Sequence, residues 1–91
     1  MSWFKLDDQF ASHPKVLRAG PDAAWLYVCG GLYCAKHLTD GSIPKVAVPT
    51  LTTLKAAVRL AGVLVRENLW HDDGPDYWMH DYLHYNPSRE Q

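Results

Sequence analysis

The stretch LTTLKAAVRLAGVLVRENLWHDDGPDYWMH, residues 51–80, decides how the chain is read. Its first half has a helical period. Leu54, Ala57, Val58, Ala61, Leu64 and Val65 form one apolar stripe, which predicts a helix over 51–67. Thr50, Thr52 or Thr53 can cap its start, and Asn68 suits a left-handed residue at its end. The second half changes character. Leu69-Trp70-His71 and Tyr77-Trp78-Met79 are aromatic-rich, and Asp72-Asp73-Gly74-Pro75-Asp76 between them is dense in turn formers. That pattern predicts a β-hairpin over 69–80.

Upstream, Pro21-Asp22 opens a second long helix, 22–38. Trp25, Val28, Leu32 and Ala35 are spaced to make its core stripe, and Leu26, Tyr33, Cys29 and Cys34 fill much of the rest. A helix apolar most of the way round is expected to be central. Gly30-Gly31 in its middle suggests close approach of another helix. Thr39-Asp40-Gly41-Ser42 reads as a turn, Ile43 as a single β-bridge, and Pro44 or Pro49 as the start of a short helix. In the N-terminal extension, 1–21, Trp3–Leu6 reads as an edge strand and Asp7-Asp8 as a cap. His13–Gly20 reads as a short helix with Pro14 at its first position and Gly20 past its end. The aromatics Trp25, Trp70, Tyr77, Trp78 and Tyr82 are assigned first to the core.

The expected fold class is α+β, mainly helical. It is a winged helix-turn-helix: central helix 22–38, helix-turn-helix 44–67, and a C-terminal hairpin wing 69–80. Ninety-one residues, 47% apolar and 21% charged, fit one globular domain. The N-terminus meets charge at once, with no apolar run of a secretory signal, and the longest uncharged run, Ala23–Ala35, is short of a membrane span. Cys29 and Cys34 project about 140° apart on a helix and are read as reduced core thiols.

Net charge is −1, which argues against a purely electrostatic nucleic-acid binder, but the charge is unevenly spread. Residues 13–66 hold seven Lys/Arg against two acids, and residues 67–91 hold one Arg against six acids. Lys55, Arg59 and Arg66 fall within about 40° of one another on the 51–67 helix, with Thr52 and Gly62 on the same face. Cations beside small residues are what a recognition helix needs for phosphates and guanine edges. Lys45 and Lys15 are candidates for further phosphate contacts.

Other constellations are weaker. His71, His80 and His84, with Asp81 nearby, match no strong zinc spacing, so no metal site is assigned. No Gly-x-Ser-x-Gly, nucleotide loop or His-Glu-x-x-His occurs, and neither an enzyme nor a cofactor is expected.

Several motifs carry a resemblance. They are Trp3–Phe10 with His13–Val16, Leu38–Pro44, Asn68-Leu69-Trp70, and His80–Ser88. Together they resemble actinobacteriophage winged-helix domains similar to the N-terminal domains of phage replication-initiation (replisome-organiser) proteins. The resemblance implies a winged helix that binds double-stranded DNA in replication or regulation, in the cytoplasm of an infected bacterium. Two departures stand beside it. Many relatives continue into a longer C-terminal region. The wing here carries Asp72, Asp73 and Asp76 and no Lys or Arg, where a phosphate-gripping wing should be basic. The alternative is a small phage protein that uses the fold to bind a host or phage protein through Trp3, Phe4, Asp72, Asp73 and Asp76. A homodimer is compatible with both.

Overall fold

The computed structural model describes residues 3–80 together with Tyr82. Most of the His80–Ser88 motif, and with it the contributions of Asp81 and His84, lies outside the described residues. The structure is a small α+β domain in which helices predominate, built on a three-stranded antiparallel sheet.

The 3₁₀ turn Phe10–Ser12 leads into α1, Pro14–Ala19. His13 caps α1, its Nδ1 accepting from the Lys15 amide at 3.1 Å, and Pro14 loses nothing at a position whose N–H has no helical partner. Gly20, at φ +91°, ends α1 and opens directly into α2, Pro21–His37. Asp22 in the first turn of α2 and Lys36 in the last both complement its dipole.

The buried face of α2 is Ala23, Leu26, Gly30, Gly31, Cys34 and Ala35. The predicted core stripe is therefore corrected: Trp25 and Leu32 are 52% and 51% exposed, and Val28 is half-buried. The small residues face inward because large rings from elsewhere fill the space. A Cβ on Gly30 would lie 2.6 Å from Trp70 Cζ2 and 2.9 Å from Ile43 Cδ1, and one on Gly31 would clash with the end of the Phe4 ring. The glycine pair receives aromatic side chains, not another helix.

Strand β1 is Ser42–Pro44, followed by a 3₁₀ helix, Lys45–Thr50. Three residues of β1 pair with β3, more than the single bridge expected. Helix α3, Ala57–Arg66, precedes β2, Trp70–Asp73, and β3, Asp76–Met79, and the strand order is β1-β3-β2. The hairpin register sets Trp70 opposite Met79 and Asp73 opposite Asp76, which leaves a two-residue loop. Gly74 at φ +67° followed by Pro75 suits that tight turn. Lys45 N donates to Pro75 O at 2.9 Å and ties the 3₁₀ helix to the loop.

The core joins α2, the sheet and α3 through fully buried Trp70, Leu26, Ile43, Leu64 and Val48. Tyr82 is also buried and Tyr77 half-buried, but Trp78 is 39% exposed. Trp3–Leu6 pairs with no described strand. It is an extended arm whose Phe4 packs against Tyr27 and Tyr82.

Candidate nucleic-acid interface

Helix α3 is shorter than its periodicity suggests. It begins at Ala57, not residue 51, with no side-chain cap. The preceding segment is held otherwise. Thr50 Oγ1 donates to Ala47 O at 2.6 Å, and Thr52 Oγ1 accepts from Leu54 N at 3.3 Å. Such local bonds compete with helix formation. They let Leu51 and Leu54 bend onto the core as half-buried side chains. Lys55 consequently lies in the turn before α3, exposed, and Thr52 is half-buried and engaged.

The buried face of α3 is Ala57, Leu60, Ala61 and Leu64. It includes Leu60, which the sequence stripe omitted, and excludes Val58, which is 64% exposed. This rotation places Arg59, Gly62 and Arg66 nearly opposite the core, within about 60° of one another. All three are exposed, and a Cβ on Gly62 would meet nothing within 4 Å.

An ion-pair cluster closes the end of α3. Arg18 Nε reaches Glu67 Oε1 at 2.8 Å, and Arg66 Nε reaches Glu67 Oε2 at 3.3 Å. The Arg18 hydrogen bond is the main reason that the Glu67 carboxyl is held below its usual range; burial opposes it, and Arg66 adds to the lowering. Arg18, given no role from sequence, thus shares the Glu67 carboxylate with Arg66 at the end of α3. Partners 49 residues apart leave no local signal of such a pair.

Lys45 is not free for a phosphate. Its Nζ lies 2.7 Å from Asp72 Oδ1 and 5.1 Å from the Tyr77 ring centroid. The bond to Asp72 chiefly pushes the Lys45 pKa up. The acidic hairpin is also partly consumed within the fold, because Asp73 Oδ2 accepts from Trp78 Nε1 at 2.9 Å. Asp76, half-buried, stands opposite Asp73 in the ladder. Lys15 is half-buried and lines a pocket with Lys5 and His13. Of the alternative protein-contact residues, Trp3 is 75% exposed, while Phe4 is half-buried against α2.

His71 and His80 meet on one face of the hairpin, with Nε2 and Nδ1 2.8 Å apart. Among the described residues no group of three or more His, Cys, Asp or Glu side chains is arranged to hold a metal ion. No helix there is long and apolar enough to cross a membrane. Comparison with protein-family models, with curated proteins and with solved structures finds no match.

Proposed function

We propose that the chain is a phage-encoded winged-helix protein that binds double-stranded DNA, in replication or regulation, in the cytoplasm of the infected bacterium. The observation that carries the DNA reading is the outward face of α3, where Arg59 and Arg66 flank Gly62 opposite the core. The order α2, β1, 3₁₀ helix, α3, hairpin is compatible with a winged helix, in which α3 is the recognition helix. Gly62 lets the helix approach the groove closely. Arg59, in the first turn, is positioned for a base edge, and Lys55 and Arg66 for phosphates. The phage origin and replication role rest on the motif resemblance alone.

In this reading the hairpin does not grip DNA. Its carboxylates hold Lys45 and Trp78 instead. Binding is therefore expected to be modest, with the shallow salt dependence of few phosphate contacts. Fluorescence anisotropy of a labelled duplex should give a log–log salt slope of about −1.8 for the two cation–phosphate contacts; Arg66→Ala should reduce it by about 0.9, whereas Arg59→Ala should weaken binding with little change in slope. Absence of binding at low salt rules out DNA as ligand, and unchanged binding by both variants removes α3 as the surface.

A second reading, capture of a host or phage protein, is favoured by the 75% exposure of Trp3. It expects specific retention of a lysate protein that Trp3→Ala abolishes.

A further inference from the structure

The outward face of α2 has the pattern of a helix that packs on another helix, yet it faces outward. Asp22, Trp25, Cys29, Leu32 and Lys36 follow one another at intervals of 3, 4, 3 and 4 residues. That interval is the repeat of a helix–helix seam, and it places all five within about 80°. Trp25 and Leu32 are half exposed, Cys29 is half-buried, and the two charged ends are exposed. Beside the stripe runs an apolar groove of about 410 Å³, walled by Phe10, Val16, Leu17, Pro21, Trp25 and Val28. Leu17 on its rim is 66% exposed.

We infer that this face binds a second copy of the chain, with the two α2 helices antiparallel about a twofold axis at Cys29. The charges choose the occupant and its direction. Asp22 stands at one end of the stripe and Lys36 at the other, about 21 Å apart along the helix, too far to pair within one chain. Neither forms an ion pair with another described residue. An antiparallel copy sets each Asp22 against the other copy's Lys36, twice over, as an isologous contact requires. A parallel copy would set like against like. In the antiparallel register facing positions are symmetric about residue 29. Leu32 of each copy then comes over the Trp25–Val28 stretch of the other and closes its groove. The pairing is independent of DNA contact by α3.

Sedimentation equilibrium of the full chain should show a monomer–dimer equilibrium, and Leu32→Glu should abolish it while the far-ultraviolet circular dichroism stays native. Asp22→Lys and Lys36→Asp should each weaken the dimer by about tenfold, since each reverses two contacts. The double variant Asp22→Lys/Lys36→Asp should restore it. A short bismaleimide should link the wild-type chains into dimers but not the Cys29→Ser variant. A chain that remains monomeric at millimolar concentration overturns the inference and leaves the groove to a different protein. A dimer that the double variant does not rescue, or that cross-links without Cys29, overturns the proposed register.

Discussion

Cys34 has a fully buried side chain, with Sγ 3.7 Å from Ser42 O and 3.8 Å from Met79 Sδ. Burial raises its pKa from 9.0 to about 11, against the smaller opposing influence of Thr39 and the Gly41 backbone. The folded chain keeps this proton to about pH 11, whereas the unfolded chain releases it above about pH 9. Between those values the unfolded state binds fewer protons, so stability falls as pH rises. The full gap corresponds to about 3 kcal/mol, an upper figure because water penetration reduces it. Urea titrations across this range should show the loss, and Cys34→Ala should make the profile flatter. Tyr82, whose phenol burial also raises, keeps a residual slope of the same sign in both proteins. Equal slopes in the two proteins would mean that the thiol does not stay protonated in the fold.

At the level of the element, one substitution has opposite consequences on two helices. Gly62 is in the interior of α3 and open to solvent. Gly62→Ala should stabilise the fold by about 0.5–1 kcal/mol, because alanine loses less backbone entropy on entering a helix. The same methyl at Gly30 meets Trp70 and Ile43. There the propensity gain is outweighed by overpacking, typically about 1–3 kcal/mol, so Gly30→Ala should be net destabilising. Thermal melts of the two variants should therefore shift in opposite directions. If α3 enters a DNA groove, the more stable Gly62→Ala should also bind duplex less tightly than wild type. Stability and binding would then separate on one residue.

Across the whole molecule, the fold is held at its N-terminus by an aromatic arm. Phe4 stacks on Tyr82, with centroids 6.2 Å apart and planes at 9°, and tilts against Tyr27 at 6.4 Å. It lies over the notch that Gly31 leaves in α2. Phe4→Ala should cost about 2 kcal/mol, roughly half the value for a fully buried Phe, since the ring is half-buried. Gly31→Ala should be destabilising in the wild type but nearly neutral or stabilising in the Phe4→Ala background, because the ring it would strike is then gone. A double-mutant cycle by chemical denaturation measures that coupling. Additive effects would show that the arm does not occupy the notch in solution.

The α1 and α2 helices, the Asp40–Gly41 turn and the hairpin were legible from sequence because their signals are local. Proline at a first helical position, the turn formers Asp72–Asp76 between aromatic runs and a run of apolar residues each constrain the chain within a few residues. Asn68 at φ +59° is a further case. The candidate site was legible in part. Arg59 and Arg66 are on the exposed face of α3 as their spacing requires, but Lys55 is outside the helix because Thr52 bonds the backbone locally. Other features depended on contacts distant in sequence. Only the fold pairs Lys45 with Asp72 and Arg18 with Glu67. Only the fold turns Gly30 and Gly31 inward and Trp25 and Leu32 outward, because the rings that fill the inner side of α2 come from residues 4 and 70. By itself the sequence determined which segments could be helix or hairpin. Which face of each segment is buried was decided by the bulk of its neighbours in space, and hydrophobicity alone does not carry that information.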